Sequence, residues 1–72
     1  MRDIDISREP MELFKILKIA DVADSGGEAK FVIAEGMVKV NGEIETRKRK
    51  KIVSGDIIEF GNETLRIHAK QE

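Results

Sequence analysis

The sequence SGGEAKFVIAEGMVKVNG, residues 25–42, contains a helix motif followed directly by a hairpin motif. Ser25 and Glu28 match the S-x-x-E capping box, in which both side chains accept hydrogen bonds from free backbone N–H groups at the helix start. Gly36 is placed to end the helix after Glu35, because glycine readily adopts the left-handed backbone that terminates many helices. The helix is predicted to bury one face, formed by Ala29, Val32 and Ile33.

The hydrophobic period changes from helical to two in the second half of this segment. Val38 and Val40 alternate with Lys39, which predicts a strand with one buried face. Asn41-Gly42 is the dipeptide most typical of a two-residue hairpin turn, since both positions need a positive φ. Residues 43–46 are therefore predicted to return as the partner strand.

The chain before this segment predicts a strand and another helix. Ile4 and Ile6 alternate with acidic residues, which is typical of a short strand that ends before Pro10. Apolar residues then recur at helical spacing and predict a helix from about Pro10 to Ile19, with proline tolerated in its first turn. Asp21 lies in the link between the two helices, and aspartate tolerates left-handed backbone better than most residues.

The chain after the hairpin predicts short strands separated by turns. Ile52-Val53 precedes a turn at Ser54-Gly55-Asp56, and residues 57–60 and 64–69 are predicted strands on either side of Gly61-Asn62. The element order predicts a single α+β domain over residues 1–72, with two helices packed on one face of a small antiparallel sheet of short strands.

The chain is short and its charges nearly balance. Its 72 residues suffice for one domain with a small core. The 13 Lys and Arg against 14 Asp and Glu exclude a histone-like basic chain and a wholly acidic tail. It contains no Cys, and it has no apolar run long enough for a signal peptide or a membrane span. We therefore expect a cytoplasmic protein without disulfides or membrane contact.

Catalytic motifs are missing from the sequence. It has no nucleophile elbow, no Walker loop and no metal-ligand spacing, and it has a single His. That residue, His68, lies on the strand face opposite Leu65 and Ile67, and it is predicted to be an exposed surface residue. We therefore expect no enzymatic activity, no catalytic residue, no metal, no cofactor and no small-molecule substrate.

Five consecutive basic residues form what we call the basic segment: Arg47, Lys48, Arg49, Lys50 and Lys51. Adjacent cations repel one another, but a polyphosphate partner would release counterions on binding them. If the segment is extended, Arg47, Arg49 and Lys51 align on one side. A solvated loop without a partner is the alternative interpretation.

The predicted helix start at Gly26 and Gly27 is a second candidate site. Backbone N–H groups without side-chain cover, at the positive end of the helix dipole, suit a phosphate. Lys30 adds a cation one turn later. The alternative is a plain capped helix, because Ser25 and Glu28 are able to satisfy those N–H groups themselves.

Aromatic residues are scarce, with three Phe and no Tyr or Trp. They are too few for a platform that stacks successive single-stranded bases. Phe31 is predicted to pack under Ile4, Ile6 or the first helix rather than to stack a base.

The motifs together resemble the RNA-binding domain named after the fourth small-subunit ribosomal protein, the αL motif. The resemblance covers about residues 11–60 and is strongest to short stand-alone bacterial members. It rests on the pattern Ser-x-x-x-Ala-x-x-x-Ile-x-x-Gly-x-Val-x-Val-Asn-Gly followed by Gly-Asp, and on these residues: Ser25 to Lys30, Ile33, Gly36, Val38 to Gly42, Glu45 to Arg49 and Ser54 to Asp56.

The resemblance implies binding to structured RNA through the second helix and through the loop and strand that follow the hairpin. Position by position, it points to Lys30 and to Arg47 through Lys51, with Lys39 as a secondary candidate. Larger members of the family place Arg or similar residues where this chain has Gly26 and Gly27. Contacts at these two positions would therefore come from the backbone.

We therefore expect a non-catalytic, monomeric protein that binds structured RNA, with ribosomal RNA as one candidate. Affinity would come mainly from phosphate contacts and RNA shape. The alternative from a different class is a protein-interaction adaptor. Such an adaptor would dock an acidic partner on the basic segment or on an exposed sheet edge.

Overall fold

A computed structural model describes residues 1–69; positions 70–72 of the predicted domain lie outside the described residues. It contains two helices and seven short strands in the described range. In chain order these are β1 (Arg2–Ile6), β2 (Met11–Glu12), α1 (Leu13–Ile19), α2 (Gly26–Ala34), β3 (Val38–Val40), β4 (Glu43–Ile44), β5 (Lys51–Ile52), β6 (Ile57–Phe60) and β7 (Glu63–Ala69).

The main sheet has five strands in the order β1-β7-β6-β3-β4, and β2 and β5 form a separate antiparallel pair. This confirms the α+β class with two helices on a sheet of short strands. The sheet is mixed rather than antiparallel, because β1 pairs in parallel with β7. Parallel neighbours need a long crossover connection, and the rest of the domain lies between these two strands.

The core lies between the helices and one face of the sheet. No polar or charged side chain is buried in the described residues, so burial of apolar surface supplies the main stabilisation. The core side chains are Ile4, Ile6, Leu13, Ile16, Leu17, Ala20, Ala23, Ala29, Val32, Ile33, Val38, Val40, Ile52, Ile58, Leu65 and Ile67.

Helix α1 begins at Leu13, three residues later than the prediction of Pro10. Met11 and Glu12 are extended instead, because they pair with Ile52 and Lys51 in the small sheet. This pairing joins distant parts of the chain, so local helical spacing did not reveal it.

Helix α2 and the hairpin follow the prediction. The Ser25 hydroxyl accepts a hydrogen bond from the Glu28 N–H at 3.1 Å, and the Glu28 carboxylate accepts one from the Asp24 N–H at 2.7 Å. Gly36 has a φ of 77° and ends the helix. The hairpin turn has φ values of 53° at Asn41 and 86° at Gly42, although β4 covers only residues 43–44 of the predicted 43–46. The link between the helices uses left-handed backbone at Asp21, with a φ of 61°.

Candidate nucleic-acid interface

The first four residues of the basic segment, 47–50, form a turn between β4 and β5, and Lys51 begins β5. The Lys50 N–H donates a hydrogen bond to the Arg47 carbonyl at 3.1 Å, which closes the chain around Lys48 and Arg49. Residues 47–50 are therefore not extended, so the alternation that would have aligned Arg47, Arg49 and Lys51 on one side does not apply. The turn instead places these cations along one surface beside the end of α2.

The backbone of this turn is held against the start of α1. Leu13 N–H donates to the Lys50 carbonyl at 2.9 Å, and Phe14 N–H donates to the Lys48 carbonyl at 3.1 Å. The Glu12 side chain makes no cap at this helix start, so the two carbonyls satisfy N–H groups that would otherwise lack partners. The main chain of the basic segment is fixed in this way, and its side chains are left for other contacts.

A groove of about 690 Å³ runs along the basic segment, with the C-terminal end of α2 as its other wall. Because cations line this surface on consecutive positions, they create a concentrated positive potential that suits a polyanion. The lining residues are Ala34, Thr46, Arg47, Lys48, Arg49, Lys50 and Lys51.

Arg47 is paired with Glu45. Its Nε donates to Glu45 Oε2 at 2.8 Å and its Nη2 to Oε1 at 3.2 Å, and its backbone N–H also donates to Oε2 at 3.0 Å. The hydrogen bond from Arg47 lowers the pKa of the Glu45 carboxyl, and the same contact raises the pKa of Arg47. The carboxylate thus offsets the charge of Arg47, while the Arg47 side chain stays 72% exposed.

The other four cations are less compensated. Arg49 Nη1 lies 4.0 Å from Glu12 Oε2, at the limit of an ion pair. In residues 1–69, Lys48, Lys50 and Lys51 form no ion pair with a carboxylate. These three lysines are the cations most available to a partner.

Lys30 is connected to the basic segment through Phe14. Its Nζ lies 4.8 Å from the centroid of the half-buried Phe14 ring, within cation–π range. The same Phe14 donates its N–H to Lys48. The structure therefore brings Lys30 and the basic segment to the same end of α1.

The remaining predicted site residues do not line the groove. Gly26 and Gly27 begin α2, and Ala34 ends it, so the axial rise of 1.5 Å per residue separates the two ends by about 12 Å. Lys39 lies on the exposed face of β3, between Ile44 and Glu59 in register.

Two side chains differ from their predicted surroundings. Phe31 was predicted to pack in the core, but 61% of it is exposed. The prediction was wrong because Val32 and Ile33 already supply the inward face of α2. His68 lies on the surface, as predicted, but it has an orienting partner in Asp3, whose Oδ1 is 2.8 Å from His68 Nε2. This hydrogen bond lowers the pKa of the Asp3 carboxyl.

Sequence reasoning missed Glu45, Glu12 and Phe14 as parts of this surface. Glu45 lies two residues before Arg47, and this spacing was a readable indication that the two side chains pair. Glu12 and Phe14 carried no such indication, because both meet the basic segment across a long stretch of chain.

Other kinds of site find no support within residues 1–69. No three His, Asp or Glu side chains in that range gather closely enough to hold a metal ion. None of the helices described there is long and apolar enough to cross a membrane.

The model of the S4 domain family matches residues 4–68. The chain belongs to the S4 domain family. The match extends beyond the predicted 11–60 at both ends, into strands β1 and β7. It confirms the resemblance to the S4 family, and residues 47–51 lie inside the matched range.

Two bacterial proteins are similar to most of this chain. YbcJ of Escherichia coli (strain K12), which is named a putative RNA-binding protein, is 41% identical to this chain over 70 residues. The aligned region covers 96% of this chain and 100% of YbcJ. RlbA of Bacillus subtilis (strain 168), which is named a probable ribosome maturation protein, is 43% identical to this chain over 57 residues. The aligned region covers 79% of this chain and 80% of RlbA.

The solution structure of E. coli YbcJ matches this S4 domain with a TM-score of 0.74 at 41% identity. The match covers 96% of this chain and 89% of that chain. The YbcJ structure is described as revealing an αL motif involved in RNA binding.

Proposed function

We propose that this S4 domain is a non-catalytic, monomeric protein that binds structured RNA. The groove between the basic segment and the end of α2 carries this proposal, because it places consecutive cations along one open surface. Neutralising several phosphates there would release counterions and supply most of the affinity. The names of the relatives, which refer to RNA binding and ribosome maturation, support ribosomal RNA as a candidate ligand and the cytoplasm as the location.

We assign the contacts as follows. Lys48, Lys50 and Lys51 provide the main phosphate contacts, because they form no ion pairs in the described residues. Lys30 adds a cation from α2. Arg47 contributes least, since Glu45 compensates it, and Arg49, at 4.0 Å from Glu12, is intermediate.

The proposal includes a second contact at the start of α2. Gly27 is exposed, and a Cβ placed on Gly26 would lie 3.7 Å from Lys18 Cδ, so a lysine stem lies beside this helix end. A phosphate there would meet open backbone N–H groups and a neighbouring cation. Lys39, on the exposed face of β3, would contact only RNA that wraps around the sheet edge.

The test compares RNA with an acidic protein mimic. A labelled hairpin of ribosomal RNA is titrated with wild-type protein and with the Lys48→Glu/Lys50→Glu/Lys51→Glu variant at low and at physiological salt. We expect one protein per RNA site and loss of binding in the variant, with an unchanged melting temperature because the segment is held by its backbone. Competition by polyglutamate at the same ionic strength should be weak.

A charge-matched control distinguishes the effect of a cation in the groove from the effect of the net charge of the protein. Lys48→Glu is compared with Arg66→Glu, because Arg66 is an exposed cation on β7, away from the groove. Equal losses in the two variants would mean that only net charge matters. Polyglutamate binding as strong as RNA binding would favour the protein-interaction adaptor instead.

A further inference from the structure

Phe31 exposes an aromatic ring on a helix that is otherwise well packed. It is 61% exposed, whereas the next two residues, Val32 and Ile33, are 7% and 0% exposed. A ring in water contributes little to folding, since its apolar area is not removed from solvent. The core of the domain therefore does not explain this side chain.

The position of Phe31 relates it to the groove. Ala34 is the third residue after Phe31 on α2. Residues at positions i and i+3 are neighbours on one helix face, with Cβ atoms roughly 5–6 Å apart. Ala34 forms the α2 wall of the groove lined by the basic segment. The ring thus flanks the groove one helical turn from its edge.

The faces of the Phe31 ring are not engaged by a cation within residues 1–69. The cation–π contacts of the described residues are both to Phe14, from Lys30 at 4.8 Å and from Lys15 at 6.0 Å. Lys30, the immediate neighbour of Phe31, is therefore directed to a different ring. The exposed Phe31 ring is therefore accessible for stacking by a planar group.

We propose that Phe31 stacks on one unpaired base of the RNA whose phosphates occupy the groove. The inference rests on the proposed function and narrows its ligand to RNA with a bulged or loop nucleotide beside a helix. Bases within a continuous duplex are stacked on one another, so a protein ring reaches only a base that is splayed out. Stacking on an aromatic side chain tolerates any base, because every base has a π face.

The first experiment uses two RNA hairpins that differ by one unpaired nucleotide. Wild-type protein should bind the bulged hairpin more tightly than the fully paired one. Phe31→Ala should lose about 5- to 150-fold in affinity for the bulged RNA, the range expected for one base–aromatic stack, and should bind the paired RNA almost as wild type does. Phe31→Tyr should keep the preference, because it retains the ring.

Ile19→Ala is the matched control, because Ile19 is 54% exposed and lies at the end of α1 away from the basic segment. It should leave both affinities unchanged. Circular dichroism checks that each variant is folded.

The second experiment places a fluorescent ring at the site. The chain has no Trp or Tyr, so Phe31→Trp introduces a single indole. Bulged RNA should quench its fluorescence more strongly than paired RNA does, and polyglutamate should not quench it. Ile19→Trp should show no such difference.

The outcomes separate the two proposals. If Phe31→Ala binds both hairpins as wild type does, while Lys48→Glu/Lys50→Glu/Lys51→Glu binds neither, base stacking is wrong and RNA binding by the groove stands. If wild-type protein binds neither hairpin, both proposals are overturned. Quenching of Phe31→Trp by polyglutamate as strong as that by bulged RNA would assign the ring to a protein partner and overturn the stacking proposal.

Discussion

Asn41 Nδ2 donates a hydrogen bond to Asp56 Oδ1 at 3.1 Å, and this contact ties the hairpin turn to the turn before β6. Asn41 Oδ1 also accepts the Ile57 N–H at 2.9 Å, and the other Asp56 oxygen accepts the Val53 N–H at 3.0 Å. The two turns thus share one hydrogen-bond network. The network fixes the end of β3 and the start of β6, which are neighbours in the main sheet.

We expect Asn41→Ala to destabilise the domain by about 1–3 kcal/mol, because it removes two side-chain hydrogen bonds. It also places alanine at a φ of 53°, which disfavours a Cβ. Urea unfolding measures the effect. Asn41→Gly separates the causes, since it keeps the backbone conformation and removes only the bonds. Asn62→Ala, at an exposed turn position, is the control, and a loss there equal to that of Asn41→Ala would refute the role of the network.

Arg47 and Lys48 are adjacent, but we expect them to differ in RNA binding. Lys48→Ala should weaken low-salt binding several-fold and reduce the slope of log affinity against log salt by roughly 0.7–0.9, the value of one released counterion. Arg47→Ala should reduce the slope less, because Glu45 already offsets the charge of Arg47. Salt titration of both variants checks this. If the two variants reduce the salt slope equally, RNA displaces Glu45 from Arg47 on binding.

The Asp3–His68 contact predicts an acid-dependent part of the stability. Its hydrogen bond holds the pKa of Asp3 below the ordinary value of 3.8. Because the folded pKa is the lower one, the ionised carboxylate stabilises the fold above the unfolded pKa, and this stabilisation is lost as pH falls through the folded pKa.

Urea unfolding of wild type and Asp3→Asn should therefore differ at neutral pH, and the difference should close as pH falls below the ordinary aspartate pKa of 3.8. Asp5→Asn, at an exposed position of the same strand, is the control. A gap between wild type and Asp3→Asn that is constant with pH would assign the effect of the substitution to something other than ionisation.

Gly27→Ala tests the contact at the start of α2. Its added Cβ would lie 3.8 Å from Ser25 Oγ, an ordinary contact, so the variant should fold and gain up to about 1 kcal/mol from helix propensity. If backbone N–H groups of this turn hold a phosphate, the methyl group hinders that approach, and we expect weaker RNA binding. Lys30→Ala should also bind more weakly, with a smaller salt slope. Wild-type affinity in Gly27→Ala would remove this helix end from the interface.

The sequence alone was sufficient to predict those elements whose conformation depends on a few adjacent residues. The Ser25 cap, the left-handed Gly36 and the Asn41-Gly42 turn each depend on the conformations and side chains of a few adjacent residues. The concentration of charge in the basic segment is equally a property of the sequence alone. The cap, the helix end and the hairpin turn were therefore predicted at their positions. The basic segment already indicated a polyanion as the ligand.

The tertiary structure alone decided how distant segments meet. The parallel pairing of β1 with β7, the delayed start of α1 beside β5, and the exposure of Phe31 all depend on which surfaces the packed core covers. The same holds for the turn in the basic segment, whose carbonyls are bound by the start of α1. Periodicity shows which side of an element is apolar, but burial and long-range hydrogen bonds are settled only when all elements compete for the same small core.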